Sequence, residues 1–235
     1  MDTPTALITG ASRGLGRALA ASLNDRGWRL VIDGRDARRL GATAAALPRP
    51  ELVVALPGDV ADPAHRAAHA TAVGPHQDLQ VNNASDLGPS PLPRLAELRP
   101  EEFTRVLAVN TVAPLAVLQA VLPALGAGGR VVDISSDAAV EAYAGWGGYG
   151  ASKAALDHLT AVLATEHPDL RIYAVDPGDM ATDMHQAAFP GEDISDRPAP
   201  ETVVPALLAL IDGDRPSGRY RAAELVPVPE TAAGR

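Results

Sequence analysis

The sequence contains no cysteine and few aromatic residues, and each scarcity limits what the protein can be. Without cysteine the chain forms no disulfide, no thiolate nucleophile and no cysteine-ligated zinc site. Aromatic residues make up only 3% of the 235 residues, so a hydrophobic core must consist mostly of Ala, Val, Leu and Ile. This length suits one α/β domain with a substantial core and is short for two.

Positive charge and long apolar runs are also scarce. The net charge of −9 argues against a nucleic-acid-binding surface and against an anchor to anionic membranes. No apolar run approaches the roughly 18 residues needed to cross a bilayer. The first residues, MDTPTALITG, lack the basic segment and the long apolar stretch of a secretion signal. We therefore expect a cytoplasmic protein that binds neither nucleic acid nor membrane.

Strand and helix patterns alternate along the chain. Short runs rich in β-branched residues are separated by helical stretches, which predicts a doubly wound parallel sheet with helices on both faces, in one domain over 1–235. The tail at about 225–235 is rich in Pro and Ala and is expected to be loose. The predicted strands lie at 5–9, 29–33, 51–56, 78–82, 130–135 and 171–176, and the main helices at about 14–26, 36–46, 101–124 and 149–165.

A glycine-rich turn, TGASRGLG at 9–16, follows the first strand and opens the first helix. Its glycines, Gly10, Gly14 and Gly16, allow a tight turn whose backbone amides can approach a pyrophosphate at the helix N-terminus. A turn of this kind is a weak signal alone, but its position in an α/β chain favours dinucleotide binding.

The spacing Gly-x-x-x-Gly-x-Gly, with five further motifs in the expected order, resembles the short-chain dehydrogenase/reductase family. The resemblance covers residues 5 to about 221 and implies a Rossmann-type fold, a nicotinamide cofactor and a carbonyl or alcohol substrate. Ser85 departs from the pattern, because the family has glycine there. The further motifs are DV at 59–60, NNAS at 82–85, VNT at 109–111, DISS at 133–136 and DPGDMAT at 176–182.

The resemblance implies a catalytic set of Asn110, Ser136, Tyr149 and Lys153. Lys153 follows Tyr149 at i+4, so the two side chains share a helix face, whereas Tyr143 has no lysine at that spacing. Hydride transfer to a carbonyl carbon leaves charge on oxygen, which Tyr149 would protonate while Ser136 orients it. Lys153 would lower the pKa of Tyr149 and, as in the family, bind the nicotinamide ribose.

Asn110 has separate support from Pro114, which lies inside the helix predicted over 101–124. Because proline has no N–H, the carbonyl of Asn110 loses its usual helical partner and is free to hold a water. This matches the family's use of the Asn in a proton-relay water chain. A proline merely tolerated in a surface helix is the alternative.

The choice of cofactor depends on the residues that end the second strand. Family members that select NAD carry an Asp at the position of Gly34. Glycine leaves room for a 2′-phosphate, which Arg35 and Arg13 can pair with, so NADP(H) is expected in preference to NAD(H). If the strand ended one residue earlier, Asp33 would face the ribose and repel the phosphate. The full set of expected cofactor contacts is Gly10, Ser12, Arg13, Gly14, Leu15, Gly16, Gly34, Arg35, Asp59, Val60, Asn83, Ala84, Ser85, Tyr149, Lys153, Pro177, Gly178, Met180 and Thr182.

The substrate pocket is expected to be largely apolar, beneath a lid at about 183–200. Half of the chain's aromatic residues, with two methionines, fall near the nicotinamide or in this lid. Packing of the lid or of a subunit contact is the alternative explanation. The expected substrate contacts are Asp86, Ser136, Tyr143, Trp146 and Tyr149, and Asp137 and Glu141 are further polar candidates.

Three functions are compatible with these features. The favoured one is an NADP(H)-dependent carbonyl reductase or alcohol dehydrogenase. A 3-oxoacyl-thioester reductase would need to dock a carrier protein, which the acidic balance makes less attractive if the carrier is acidic. A non-catalytic NADP(H)-binding redox sensor would not need to keep all four catalytic residues.

Metal binding is not expected, and self-association is. His65 and His69 have the i, i+4 spacing of metal ligands, but no third ligand is evident and a solvated helix face is favoured. By resemblance, the helices at about 101–124 and 149–165 pair with their copies across a two-fold axis, giving a homodimer or homotetramer.

Overall fold

The computed structural model describes residues 3–225, which form a seven-stranded parallel sheet. The strands are β1 Thr5–Ile8, β2 Arg29–Gly34, β3 Val53–Pro57, β4 Gln77–Asn82, β5 Leu125–Ile134, β6 Arg171–Asp176 and β7 Gly218–Arg221. Their order across the sheet is β3-β2-β1-β4-β5-β6-β7, and every pairing is parallel. The order reverses direction between β1 and β4, where doubly wound sheets place their ligand crevice.

Helices cover both faces of the sheet, so each face has its own hydrophobic core. On β1, Ile8 packs into the core beneath α1 (Gly14–Asp25) and α8 (Val204–Asp212), whereas its neighbour Leu7 packs into the core beneath α3 (Pro63–Val73) and α5 (Ala113–Val121). Alternation of this kind follows from the two-residue period of a strand. The helices are α1 Gly14–Asp25, α2 Ala37–Ala46, α3 Pro63–Val73, α4 Pro100–Leu107, α5 Ala113–Val121, α6 Gly147–Glu166, α7 Asp183–Ala188 and α8 Val204–Asp212.

The predicted fold class is confirmed, with local differences. Strand β7 was not expected, because its four residues, GRYR, alternate only between partly buried and exposed positions at the sheet edge. The strand expected at 51–56 begins later, since Pro50–Leu52 form a short 3-10 turn. Of the tail expected to be loose, 226–235 lies outside the described residues.

A continuous helical stretch runs through α4 and α5 to Ala124, and it is more apolar than the sequence pattern suggested. By length and composition alone, Pro100–Ala124 is long and apolar enough to cross a membrane. Half of its most apolar part is buried inside the protein. This stretch packs against α3 and α6, as a core helix does.

Pro114 lies just after a π-helical segment, Ala108–Val112, rather than in regular α-helix. The N–H of Ala113 donates to the carbonyl of Ala108, five residues earlier, which widens the helix by one residue at this point. Asn110 lies at the centre of the widened turn. π-Helical segments occur frequently at functional sites, and this one positions a predicted site residue.

Candidate active site

A cleft of about 1530 Å³ lies at the carboxyl ends of the strands and gathers most of the predicted site residues. It is lined by the glycine turn, the end of β2, and the loops that follow β3, β4, β5 and β6. Four predicted residues, Gly16, Asp86, Asn110 and Glu141, do not line it. The other predicted cofactor and substrate residues all do, and so do Arg39, Asp183 and Phe189.

The glycine turn is pressed against the segment that follows β4. Gly10 has a φ of +67°, and a Cβ there would lie 2.7 Å from the Cα of Ala84. The Asn83 side-chain amide donates to the carbonyls of Thr9 and Gly10, at 2.9 and 3.0 Å. A Cβ on Gly16 would collide with the same amide, so this glycine serves turn packing instead of facing the cleft.

The turn and its surroundings fit a dinucleotide. Gly14 has a φ of +55°, and a Cβ there would meet Thr182 at 3.6 Å across the cleft. A Cβ on Gly34 would lie only 3.0 Å from the Ser12 side chain, so a larger residue there would crowd the glycine turn. The cleft therefore keeps side-chain-free backbone along the path that a pyrophosphate and an adenosine ribose need.

Two arginines converge on one carboxylate at the ribose end of the cleft. Arg13 Nη1 lies 2.6 Å and Arg39 Nη1 lies 3.0 Å from Asp183 Oδ2. Hydrogen bonds from Arg13 and Arg39 hold the pKa of Asp183 below its usual value. Arg35 lines the same region. The sequence places Arg39 in a basic cluster with Arg35 and Arg38, in GRDARR at 34–39, but only the fold shows that Arg39 and Arg13 meet at one carboxylate.

Asp33 borders the cleft, but its side chain is buried and both carboxylate oxygens contact protein groups. Strand β2 continues to Gly34, and Asp33 is only 1% exposed. Its Oδ1 accepts from the N–H of Gly10 at 2.6 Å, which ties the strand to the glycine turn. Repulsion between Asp33 and the 2′-phosphate was expected only if β2 ended at Asp33. The strand instead continues to Gly34.

The other oxygen of Asp33 faces two histidines of α3, which corrects the solvated helix face expected for them. His65 is 9% exposed and His69 is fully buried. Their Nε2 atoms lie 3.4 and 2.9 Å from Asp33 Oδ2. Burial raises the pKa of Asp33, but the nearby His65 and His69 rings and the N–H of Gly10 outweigh it and leave the pKa below its usual value.

Tyr149 and Lys153 lie on the first turns of α6, buried beside the cleft. Lys153 Nζ donates to the carbonyl of Ile134 at 2.7 Å and lies 5.6 Å from the centroid of the Tyr149 ring. Burial lowers the pKa of Lys153 to about 8. Burial also raises the pKa of Tyr149 to about 12, because a buried phenolate is poorly solvated. The expected lowering of the Tyr149 pKa by Lys153 is not observed in this structure.

Two serines act against the raised pKa of Tyr149. Side-chain hydrogen bonds with Ser85 and Ser136 both favour the phenolate. In this structure the one proton of each hydroxyl is donated elsewhere, from Ser136 Oγ to Asp137 Oδ1 at 2.9 Å and from Ser85 Oγ to Asn110 Oδ1 at 3.2 Å, so each hydroxyl must rotate to donate to the phenolate. The family glycine at position 85 would have no hydroxyl, so this chain has an additional polar group beside the phenol.

Asn110 is fully buried and connects the β4 loop to α6. Its Nδ2 donates to the carbonyl of Asp86 at 2.8 Å and to Ser152 Oγ at 2.9 Å. Its Oδ1 accepts from the N–H of Asp86 at 2.7 Å. These contacts hold the loop that carries Ser85 against the helix that carries Tyr149.

The substrate end of the cleft is mostly apolar. The Trp146 ring centroid lies 5.7 Å from that of Tyr149 and 6.1 Å from that of Phe189. Tyr143 is 48% exposed, and its hydroxyl donates to Asp137 Oδ2 at 2.9 Å. Phe189 ends the short helix α7, so the segment expected as a lid supplies part of this wall.

Asp86 does not take the substrate-facing position expected for it. Its carboxylate accepts from Arg105 Nε and from the N–H of Gly88, both at 3.0 Å. These bonds hold the side chain outside the cleft. Asp137, in contrast, does line the cleft and is the carboxylate close to Ser136.

Comparison with known proteins agrees with this geometry. The short chain dehydrogenase family model matches residues 4–193. The oxidoreductase YciK of Escherichia coli (strain K12) is 31% identical over 218 residues, which cover 88% of this chain and 86% of the relative. A chloroplastic NADPH-dependent aldehyde reductase-like protein of Arabidopsis thaliana is 31% identical over 250 residues, which cover 97% of this chain and 87% of that protein.

A solved structure shows the same architecture. The short chain dehydrogenase of Shigella flexneri complexed with NADP superposes with a TM-score of 0.83 at 29% identity, covering 95% of this chain and 98% of that one. The family match covers most of the chain, and the residues predicted from the family motifs gather at one cleft. This chain belongs to the short-chain dehydrogenase family.

Proposed function

We propose that this protein transfers a hydride between NADP(H) and a carbonyl or alcohol substrate. The observation that carries the proposal is the position of Tyr149, which is buried at the cleft with Ser136 and Lys153 around it and the glycine turn opposite. NADPH, when bound, would supply the hydride. The chain's own residues would bind the oxygen, donate its proton and exclude water.

Tyr149 is the proposed proton donor. With its pKa raised to about 12, the phenol is fully protonated at neutral pH, which suits the reduction of a carbonyl. Ser136 would donate a hydrogen bond to the same oxygen, after its hydroxyl leaves Asp137. Lys153 would hold the ribose, and the carbonyl of Asn110 would hold a relay water, as the family resemblance implies.

NADP(H) is the proposed cofactor because positive charge surrounds the ribose end of the cleft. Arg13, Arg35 and Arg39 all line this end, and Gly34 leaves it open. Guanidinium groups pair with phosphate through charge-assisted hydrogen bonds, which a 2′-hydroxyl alone cannot match. The NADP in the Shigella flexneri structure and the NADPH dependence in the name of the Arabidopsis relative support this preference.

The proposed substrate is a small molecule with apolar surface. Trp146, Phe189 and Met184 form an apolar wall beside Tyr149. A 3-oxoacyl thioester is the alternative substrate class. The alternative to an enzyme is an NADP(H)-binding redox sensor without turnover. We further propose that the protein acts in the cytoplasm. We also propose that it forms a homodimer or homotetramer, since Val112 and Val162 are exposed at 54% and 40% on the helices expected to pair.

The test is NADPH consumption across ketones, aldehydes, quinones and 3-oxoacyl thioesters, each repeated with NADH. We expect turnover of at least one simple carbonyl class, faster with NADPH. Turnover confined to thioesters would favour the alternative substrate. Tight NADPH binding, measured by fluorescence, with no turnover of any class would favour the sensor.

A further inference from the structure

A buried polar cluster lies beneath the glycine turn, away from the reacting groups. It consists of Asp33 at the end of β2 and of His65 and His69, one helical turn apart on α3. All three side chains are buried, and their donor atoms lie within 4.8 Å of one another. The proposed hydride transfer uses none of them.

His69 is incompletely satisfied in this cluster. Neither ring nitrogen makes a hydrogen bond of acceptable geometry within the described residues, although Nε2 lies 2.9 Å from Asp33 Oδ2. The ring is fully buried, so bulk water does not solvate it. A buried polar group without a partner is costly, and such a group in a native fold calls for an explanation.

The spacing of the donors matches a tetrahedral metal ion. Bonds of 2.0–2.2 Å from nitrogen and oxygen to zinc place neighbouring ligand atoms about 3.3 Å apart. Asp33 Oδ2 is 3.4 Å from His65 Nε2 and 2.9 Å from His69 Nε2. Both Asp–His distances are thus within a few tenths of an ångström of this spacing, and all three donor atoms lie within 4.8 Å of one another.

The chemistry of the donors selects among metals. Two imidazole nitrogens and one carboxylate oxygen suit Zn²⁺, whereas Mg²⁺ and Ca²⁺ prefer oxygen ligands alone. Asp33 Oδ1 is held by the N–H of Gly10 at 2.6 Å, which orients the carboxylate as outer-shell partners of metal ligands do. We propose that Asp33, His65 and His69 form a Zn²⁺ site, with water in the fourth position.

Such a site would stabilise the cofactor-binding turn. Asp33 would bind the ion through one oxygen and Gly10 through the other, so the metal would link α3 and β2 to the glycine turn. Gly58 permits this arrangement, because a Cβ there would collide with the His65 ring. The ion would be structural, and hydride transfer would not pass through it.

Direct metal titration tests the site. The full chain, freed of any histidine tag and treated with a chelator, would be titrated with ZnCl₂ by calorimetry, with MgCl₂ in parallel. We expect one Zn²⁺ per chain with micromolar or tighter affinity, and no comparable binding of Mg²⁺. His69→Gln should weaken Zn²⁺ binding by at least about 100-fold, because loss of an outer-shell partner alone costs 10–100-fold.

His76→Gln is the matched control, since His76 and Asp78 form an exposed pair at 3.0 Å. This variant should bind Zn²⁺ like the wild type. Asp33→Asn gives a second variant that keeps an acceptor for Gly10 but loses the charge, and it should also weaken binding. Absence of stoichiometric Zn²⁺ binding by the wild type, or equal binding by all variants, would show that the cluster is only a set of Asp–His contacts.

Thermal unfolding gives a readout that is independent of turnover. At a hundredfold excess of Zn²⁺ over Kd, Tm should rise by about 5–10 °C in the wild type. The rise should be the same in His76→Gln and absent in His69→Gln. A Tm that Zn²⁺ does not raise in the wild type would overturn the proposal even if some Zn²⁺ bound elsewhere on the surface.

Discussion

Lys153 and Tyr149 share one face of α6, yet the ammonium of Lys153 donates to the carbonyl of Ile134 at 2.7 Å and lies 5.6 Å from the Tyr149 ring centroid. Both groups are buried, and burial favours the neutral form of each. It lowers the pKa of Lys153 to about 8 and raises the pKa of Tyr149 to about 12. The pair is therefore arranged for proton donation at neutral pH. This arrangement leads to the first two predictions.

Tyr149→Phe should reduce kcat by about 10²–10⁴-fold, because the ring still packs but the proton donor is lost. Binding of NADPH, followed by fluorescence, should change little. Tyr220→Phe is the control, since Tyr220 does not line the cleft and its hydroxyl donates only to the carbonyl of Pro216 within the described residues. Comparable kcat values for Tyr149→Phe and the wild type would refute the assignment of the proton donor.

Lys153 should make the stability of the protein depend on pH above neutrality. Its folded pKa of about 8 lies below its ordinary value of 10.5, so between these values the unfolded chain binds more protons than the folded one. Stability therefore rises with pH across this window, by about 2 kcal/mol between about pH 7.5 and pH 9.5. Above pH 10 the raised pKa of Tyr149 acts in the opposite direction.

Urea unfolding of the wild type and of Lys153→Met at the two pH values isolates this contribution. The free energy of unfolding should rise more in the wild type than in the variant, by the amount stated. Other titrating groups are common to both proteins and cancel in the difference. Parallel changes in the two proteins would mean that Lys153 titrates near its ordinary pKa.

Asp183 should compete with the 2′-phosphate of the cofactor for Arg13 and Arg39. Asp183→Asn frees both guanidinium groups and removes a negative charge that would repel the 2′-phosphate. KM for NADPH should therefore fall several-fold, while KM for NADH stays the same. Arg39→Ala and Arg35→Ala should each lower kcat/KM for NADPH by about tenfold or more, from the 1.5–3 kcal/mol of a charged hydrogen bond.

Arg38→Ala is the control for these arginine variants. Arg38 belongs to the same basic cluster but does not line the cleft. Its removal should leave the ratio of kcat/KM for NADPH and NADH close to that of the wild type. If no arginine variant alters that ratio, another part of the cleft selects the cofactor.

Ser85→Gly should restore the family residue and shift the pH dependence of alcohol oxidation. The hydrogen bond with Ser85 lowers the pKa of Tyr149, so its loss should raise that pKa further. The profile of kcat/KM for oxidation should move to higher pH, since Tyr149 must accept a proton in that direction. Ser85→Ala should show the same shift, which would attribute it to loss of the hydroxyl and not to the greater backbone freedom of glycine. If the pH profile is unchanged in both variants, Ser85 does not affect the pKa of Tyr149.

Val112→Glu and Val162→Glu should each weaken self-association, because a charge in an apolar helix interface is costly to bury. Light scattering at micromolar concentration should show a dimer or tetramer for the wild type and a smaller species for the variants. Val140→Glu, at an exposed valine outside these helices, should keep the wild-type mass. A monomeric wild type would contradict the proposed assembly.

Much of the fold and the list of candidate residues could be predicted from the sequence by local spacing. Alternating strand and helix patterns predict the parallel sheet, and the i, i+4 spacing alone places Tyr149 and Lys153 on one face. The glycine turn is predicted in the same way, because the positive φ values of Gly10 and Gly14 belong to the turn itself. Each of these features depends on neighbours in the chain.

The tertiary structure determines what each side chain faces. Whether Asp33 meets the ribose or the protein interior depends on β2 continuing for one more residue, and its partners His65 and His69 come from a helix about thirty residues away. Arg13, Arg39 and Asp183 meet only because the loop after β6 crosses the glycine turn. The pKa values of Tyr149 and Lys153 depend on burial, which no spacing expresses. Local periodicity thus determines the elements and their faces, whereas the long-range packing of those elements determines solvation and partners.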